Sequence, residues 1–141
     1  MNNLTNAKNI LISGGYTCVI CKGQDIQTSN LRGVKPLVQF IESRQSFEGY
    51  CAADKVVGRA TAFLYVILGV KSLYATVISS PALEILTAHG VCVEYDTKVK
   101  NIINRAGDGI CPFEAAVMNI DDPRDAYQTV LTKMREMGIS I

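Results

Sequence analysis

Three side chains of this 141-residue sequence could take part directly in a reaction. Asp54 stands at the predicted start of an apolar helix, where a carboxylate can either transfer protons or cap the free backbone N–H groups. Cys51 and Cys111 also lie close to predicted helix N-termini, which favour the nucleophilic thiolate. Each cysteine can equally be a small buried side chain. Asp54, Cys51 and Cys111 are therefore the candidate catalytic residues.

A second group of polar residues could bind a ligand. Lys55 follows Asp54 and could hold an anion. Ser79 and Ser80 precede a predicted helix, so their hydroxyls either cap that helix or face a ligand at its N-terminus. Asn104 and Arg105 begin a glycine-rich loop that is either a flexible turn or a ligand contact. The guanidinium of Arg105 could pair with a carboxylate or phosphate through two hydrogen bonds.

The N-terminal part of the chain is predicted to form a helix and a β-hairpin. Residues 2–12 have weak helical character, and Gly14-Gly15 ends that segment. Residues 16–21 and 26–29 are rich in β-branched or alternating residues on either side of a polar turn. A further amphipathic helix is predicted from Pro36 to Arg44.

The candidate residues are predicted to lie around a central helix and a β-α-β unit. Apolar residues cover nearly all sides of the segment 54–69, which predicts a buried helix. Residues 72–78 and 91–95 are predicted strands, and residues 81–89 form the helix between them. Such a crossover is right-handed and joins parallel strands.

Residues 96–100 are a predicted polar connection, residues 101–105 are one more turn or a short strand, and residues 106–109 are a loop. Two helices are predicted after this loop. One opens at Cys111-Pro112 and runs to Met118, and Glu114 in its first turn complements the helix dipole and joins the candidate ligand contacts. The last helix runs from about Asp122 to Met137. No repeat or linker divides the sequence, so residues 1–141 are predicted to form one domain, a three-layer α/β/α sandwich with a mixed sheet.

Composition limits the possible partners. Fourteen basic and thirteen acidic residues give a net charge of +1, so no nucleic-acid binding is expected. The longest apolar run, residues 61–70, is about half of the roughly 20 residues that a membrane-spanning helix needs. Five cysteines and no visible signal peptide indicate reduced thiols and a cytoplasmic location. The hydrophobic content of 48% is compatible with a homodimer.

The predicted order of elements resembles the cytidine-deaminase-like fold. In those enzymes a His- or Cys-Ala-Glu signature and a Pro-Cys-x-x-Cys signature open two consecutive helices and hold a catalytic zinc ion. Here Cys51-Ala-Ala-Asp54 and Ser79-Ser-Pro-Ala-Leu-Glu84 stand at the corresponding places. If Asp54 replaces the proton-transferring glutamate, the zinc ligands are replaced by Ala52, Ala82 and Ile85. The resemblance therefore implies the fold without metal or cofactor.

Three further strings resemble a small prokaryotic family of uncharacterised deaminase-like proteins. They are Ala-Asp-Lys-Val-Val-Gly-Arg59, Ser-Ser-Pro-Ala-Leu-Glu84 and Asn104-Arg-x-Gly-x-Gly-x-Cys-Pro-x-Glu114, and the resemblance covers residues 16–117. It implies the fold and does not imply an activity. The first hypothesis from the candidate residues is a zinc-free cleft that binds a small polar or anionic, nucleoside-like molecule. The alternatives are a non-enzymatic interaction or regulatory domain and, third, a divergent nucleoside or nucleotide deaminase.

Overall fold

The computed structural model describes residues 2–104 and 106–140, which form six helices and a mixed five-stranded sheet of order β2-β1-β3-β4-β5. The strands are β1 (Cys18–Lys22), β2 (Asp25–Ser29), β3 (Cys51–Val57), β4 (Ser72–Ser79) and β5 (Cys92–Val99). The helices are α1 (Asn3–Gly14), α2 (Lys35–Glu42), α3 (Arg59–Leu68), α4 (Ser80–Ala88), α5 (Pro112–Ala116) and α6 (Pro123–Glu136).

The N-terminal elements follow the sequence prediction. The side chain of Asn2 caps α1 by accepting a hydrogen bond from the backbone N–H of Thr5 at 2.8 Å, and Gly15 ends the helix in the left-handed conformation. The predicted hairpin is confirmed, because β1 and β2 pair in antiparallel fashion. On its other side β1 also pairs antiparallel with β3, which places Cys18 opposite Asp54.

The helix predicted over residues 54–69 is wrong in its first part. Residues 51–57 form β3, and the helix begins only at Arg59 after the extended Gly58. Strand β3 pairs with β1 on one side and with β4 on the other, so its backbone groups are satisfied by the sheet. A strand buried in the middle of a sheet carries a continuous apolar run, which periodicity alone does not separate from a buried helix. Asp54 is therefore a mid-strand residue and does not cap a helix.

The β-α-β arrangement itself is confirmed and is longer than predicted. Strands β3, β4 and β5 are mutually parallel, and α3 and α4 connect them. The predicted polar connection after residue 95 is wrong, because β5 continues to Val99. Most of β5 is exposed, so its polar residues, including Asp96 and Lys98, lack the apolar alternation that marks a half-buried strand.

The sheet lies between two layers of helices, as the predicted three-layer α/β/α sandwich requires. Helix α1 covers one face, where Leu11 packs with Val19, Ala53 and Tyr74. Helices α2, α3, α4 and α6 contribute to the larger core on the other face, and α6 packs against α3. In the described part of the chain, no helix is long and apolar enough to cross a membrane.

The two helices of the β-α-β units start side by side. Strands β3 and β4 are neighbours and parallel, so α3 and α4 both begin beside the C-terminal ends of these strands. The sequence predicts two neighbouring helix starts at the candidate site, and the structure contains them. They lie at residues 59 and 80, whereas the sequence placed the first at residue 54.

Candidate functional site

A cavity of about 310 Å³ opens at the C-terminal end of β3. Its walls come from the start of β1, the turn before α2, the first turn of α3 and the segments on either side of the 104–109 loop. Most of the lining is apolar, and Leu31 and Ile103 form partly exposed sides. The polar groups within it include Asp54, Thr61 and Glu114. An apolar cavity with a few convergent polar groups is typical of a small-molecule site.

Asp54 is one of two buried carboxyl groups that line this cavity, and Glu114 is the other. Its side chain lies on the α3 side of β3 and the residue is 8% exposed. The hydroxyl of Tyr65 donates a hydrogen bond to Oδ2 at 2.7 Å, and the backbone N–H of Val56 donates to Oδ1 at 3.2 Å. Burial raises the pKa of Asp54 to about 7, although these hydrogen bonds oppose the shift. Near neutral pH both protonation states are therefore populated.

Tyr65 connects Asp54 to a buried thiol. The Sγ of Cys18 lies 3.3 Å from the Tyr65 hydroxyl, and both residues are almost fully buried. Burial raises the pKa of the Cys18 thiol and that of the Tyr65 hydroxyl, so both groups stay neutral at pH 7. Sequence reasoning missed both residues. The pairing of the hairpin with β3 sets Cys18 opposite Asp54, and no local pattern of the sequence indicates this pairing.

Glu114 occupies the N-terminus of α3. Its carboxylate accepts hydrogen bonds from the backbone N–H of Arg59 and, at 3.3 Å, from that of Ala60. Burial raises the pKa of Glu114, while these N–H groups, the Ser79 side chain and the Arg59 charge lower it. A side chain at Gly58 would place its Cβ 2.6 Å from the Glu114 carboxyl carbon, so the carboxylate would have to move away from α3. Glu114 thus caps α3 from a distant part of the sequence.

Arg59 holds the segment that carries Glu114. Its Nε donates to the backbone carbonyl of Val117 at 2.9 Å, and its guanidinium also donates to the carbonyl of Ile120 and pairs with Asp121 at 3.2 Å. These contacts tie the end of α5 and the following turn to the start of α3. The position of Glu114 is therefore set by tertiary contacts.

Three of the predicted site residues serve the fold and do not line the cavity. Ser79 caps α4 by accepting from the Ala82 N–H at 3.3 Å, and the Ser80 hydroxyl donates to the Val99 carbonyl at 3.4 Å. Cys51 lies at the start of β3 with its Sγ 3.1 Å from the Ser72 hydroxyl. Because side chains alternate along a strand, Cys51 and Asp54 lie on opposite faces of the sheet.

The remaining predicted residues divide into two groups. Lys55 and Cys111 line the cavity, together with Asp54 and Glu114. Asn104 does not line it, and its side chain instead closes the glycine-rich loop by accepting from the Gly107 N–H at 2.9 Å. Arg105 lies outside the described residues, so its predicted ligand contact stays a prediction.

The residues at the two helix starts do not fit a zinc ion. Structural and catalytic zinc sites use at least three His, Cys or carboxylate ligands. Here the Glu114 carboxylate is committed to backbone N–H groups, and the neighbouring donor is the Ser79 hydroxyl. Across residues 2–104 and 106–140, no group of three or more His, Cys, Asp or Glu side chains could hold a metal ion.

Comparison with known proteins identifies the relatives of this chain. Residues 6–134 match the family described as TM1506, domain of unknown function (DUF1893). The crystal structure of a DUF1893 family protein (TM1506) from Thermotoga maritima is 32% identical, with a TM-score of 0.87 over 94% of this chain and 90% of the other. No curated protein matches the chain.

A second solved structure, the dCMP deaminase from the cyanophage S-TIM5 in its apo form, is similar to a smaller extent. It is 17% identical, with a TM-score of 0.43 over 69% of this chain and 94% of the other. A likeness of that extent carries no inference about activity. The family match and the Thermotoga maritima structure both cover nearly the whole sequence, and on their evidence the chain belongs to the DUF1893 family.

Proposed function

We propose that this protein binds a small nucleoside-like molecule in the cavity at the end of β3, with Asp54 as its main hydrogen-bonding partner. The observation that carries the proposal is a buried carboxyl group that lines a largely apolar cavity. A carboxylate offers about four acceptor positions. Tyr65 and Val56 occupy two of them, so Asp54 retains capacity for a ligand.

The size and lining of the cavity favour a flat heterocycle. A volume of about 310 Å³ is at the lower end of the range found for small-molecule sites, which extends from roughly 300 to 1,000 Å³. Apolar side chains such as Val34 and Phe113 can pack against the faces of a ring. A ring nitrogen or exocyclic amine can then meet Asp54, and the carboxyl can donate or accept according to its protonation state.

The charged part of such a ligand is expected at the mouth of the cavity. Arg32 lies in the turn before α2, lines the cavity and is exposed, so it could pair with a phosphate or carboxylate. Lys55 also lines the cavity, but it directly follows Asp54 on β3, so its side chain lies on the other face of the sheet. The N-terminus of α3 is a poorer anion site, because Glu114 already binds its first N–H groups. We therefore place the anionic group of the ligand at Arg32, away from the helix starts.

Asp54 and Cys111 are also the residues that would carry a reaction, if one takes place. A carboxyl with a pKa near neutrality suits general acid or base catalysis. The Cys111 thiol lines the same cavity and is partly exposed. The alternative is a non-enzymatic interaction domain, which is favoured by the fact that Ser79, Ser80 and Glu114 all bind groups of the protein itself.

A ligand screen with matched variants tests the proposal. Nucleobases, nucleosides, nucleoside monophosphates and small amines are added to the purified protein, and the unfolding temperature is followed. A ligand at 100 times its dissociation constant adds about 2.7 kcal/mol to the free energy of unfolding. Hits are then measured by calorimetry on the wild type, on Asp54→Asn and on the exposed control Asp125→Asn in α6.

The proposal predicts a hit whose affinity falls at least about tenfold in Asp54→Asn, which corresponds to about 1.4 kcal/mol of binding free energy, and stays unchanged in Asp125→Asn. Arg32→Ala should weaken the binding of a monophosphate more than that of the corresponding nucleoside. The absence of any hit among these compounds, or a hit that is insensitive to Asp54→Asn, would favour the interaction domain.

A further inference from the structure

We propose that two copies of this chain pair through β5, in an antiparallel arrangement centred on Thr97 that joins their sheets into one. This inference is independent of the cavity. Strand β5 is the last strand of the sheet, and among the residues that the structure describes it pairs with β4 alone. It is eight residues long, and it is exposed except at Val93 and Val99, which are half-buried. A long edge strand without proline presents free backbone groups that a second strand can pair with.

The pairing with β4 determines which backbone groups of β5 face outward. The N–H of Cys92 donates to the carbonyl of Lys71 at 3.1 Å, so the backbone groups of Cys92 point toward β4. Successive residues of a strand alternate, and therefore Val93, Tyr95 and Thr97 direct their N–H and C=O groups to the open edge. Val99 continues this alternation with its N–H, while its C=O also accepts a hydrogen bond from the Ser80 hydroxyl at 3.4 Å. Only registers that bring these residues opposite one another can form an antiparallel ladder.

The charges of β5 are arranged in two opposite halves about Thr97. Glu94 and Asp96 precede it, and Lys98 and Lys100 follow it. In an antiparallel pair centred on Thr97, Asp96 of one copy stands opposite Lys98 of the other, and Glu94 stands opposite Lys100. The two-fold symmetry repeats each contact, which gives four complementary charge pairs. Opposite charges in directly facing positions stabilise a strand pair.

The other side chains of the same register are also compatible. Tyr95 of one copy stands opposite Val99 of the other, and aromatic with β-branched pairs are favourable across strands. Tyr95 is 39% exposed in the single chain, so this pairing would cover apolar surface. Thr97 faces its own symmetry mate, where two threonine side chains fit together.

Neighbouring registers are unfavourable because they bring like charges together. A pair centred on Asp96 places that carboxylate opposite itself, and a pair centred on Lys98 does the same for two ammonium groups. A pair centred on Tyr95 sets Glu94 opposite Asp96. Like charges in facing positions destabilise a strand pair, so the charge pattern selects the register centred on Thr97.

The acidic side chains are already oriented on the α1 face of the sheet. Lys8 of α1 pairs with Glu94 at 2.9 Å, and the Tyr74 hydroxyl donates to Asp96 at 2.6 Å. Each carboxylate keeps further acceptor positions for a lysine of the second copy. Among the ion pairs of the described residues, none includes Lys98 or Lys100.

Sedimentation equilibrium tests the pairing. The wild type should have twice the mass of one chain. Lys98→Asp should raise the dissociation constant by at least about tenfold, because it sets two acidic residues opposite each other twice in the dimer. The double variant Asp96→Lys/Lys98→Asp exchanges the charges and should restore the dimer. Lys35→Asp at the start of α2 is the matched control, and circular dichroism confirms that each variant is folded.

Cysteine cross-linking tests the register. In a Cys92→Ser background, Thr97→Cys should form a disulfide-linked dimer on mild oxidation, because Cα atoms of facing residues in a hydrogen-bonded pair are about 5.5 Å apart, within disulfide range. Tyr95→Cys faces Val99 and should not cross-link. A monomeric wild type, a dimer that Lys98→Asp leaves intact, or cross-linking of Tyr95→Cys in preference to Thr97→Cys would each overturn the proposal.

Discussion

Glu114 accepts a hydrogen bond at 3.3 Å from the backbone N–H of Ala60, although the two residues are 54 positions apart in the sequence. The carboxylate thereby satisfies the free N–H groups at the start of α3, which also complements the positive end of the helix dipole. The start of α3 is thus occupied by a side chain of the protein, and the open space lies next to it, between Asp54 and the mouth of the cavity.

Removal of the Glu114 carboxylate should destabilise the protein. Glu114→Ala leaves the N–H groups of Arg59 and Ala60 without this partner, and the loss of a helix cap costs about 0.5–2 kcal/mol in the free energy of unfolding. Chemical denaturation measures the change. Sulfate or phosphate should recover part of the loss in the variant, because anions bind free helix N-termini. Glu136→Gln on the exposed side of α6 is the control. Equal stability of Glu114→Ala and wild type would show that the cap contributes nothing.

Gly58→Ala should disturb the contact between the Glu114 carboxylate and the first N–H groups of α3. The new Cβ would lie 2.6 Å from the carboxyl carbon of Glu114, so the carboxylate must move away from α3. We expect a loss of about 1–3 kcal/mol, as for other substitutions that overfill a packed site. Gly109→Ala is the matched control, because its Cβ would meet only the Asn104 side chain at an ordinary 3.7 Å. Equal unfolding midpoints for the two variants would contradict the steric role of Gly58.

Zinc should not be a stoichiometric component of the purified protein. The donors at the two helix starts are one hydrogen-bonded carboxylate and a capping hydroxyl, which together fall short of the three ligands that a zinc site needs. Elemental analysis after expression in zinc-supplemented medium measures the content, and the unfolding temperature should not change on addition of a chelator. One zinc ion per chain that a chelator removes with loss of stability would restore the zinc-deaminase hypothesis.

The sequence predicted the layers of this fold better than the boundaries around the site. The hairpin, the parallel strands and the helix starting at Ser80 have local signals, such as β-branched runs and a serine cap followed by proline. The start of α3 has no such signal, because Gly58 lacks a capping side chain and the cap comes from Glu114. The helix start was therefore placed at Asp54, the nearest residue that could cap.

The sequence also predicted the residues of the candidate site only in part. Residue type alone correctly predicts four residues that line the cavity, namely Asp54, Lys55, Cys111 and Glu114. Ser79, Ser80 and Cys51 were selected in the same way, but hydrogen bonds within the fold account for them. Tyr65 could not be found from the sequence, because its contact with Asp54 depends on how α3 packs on β3.

The stability of the protein should fall as the pH rises from about 4 to about 7, partly because of Asp54. Below the ordinary pKa of 3.8 the carboxyl is protonated in both the folded and the unfolded chain. Between that value and about 7 the unfolded chain releases the proton while the folded chain keeps it, so ionisation favours unfolding. Above that window the loss is complete and amounts to at most about 4 kcal/mol.

Asp54→Asn should remove this contribution, since an amide does not titrate. The difference in unfolding free energy between variant and wild type, measured in urea at several pH values, should shift in favour of the variant across the window. Asp125→Asn, in the exposed first turn of α6, should show no such gain. A constant difference between Asp54→Asn and wild type at pH 4 and pH 8 would mean that the Asp54 pKa is not raised.

Tyr65→Phe should move the Asp54 pKa still higher. The hydroxyl donates to Oδ2 at 2.7 Å, and this hydrogen bond stabilises the ionised carboxyl. Burial raises the Asp54 pKa and the hydrogen bond lowers it, so the pKa should rise when the bond is lost. Carbon-13 NMR of labelled aspartate side chains follows the titration directly. Tyr127→Phe is the matched control, because its hydroxyl binds Glu42 and not Asp54. If ligand affinity depends on the protonation of Asp54, its pH profile should shift in the same direction in Tyr65→Phe. An Asp54 pKa that is unchanged or lowered in the variant would show that Tyr65 does not hold the ionised form.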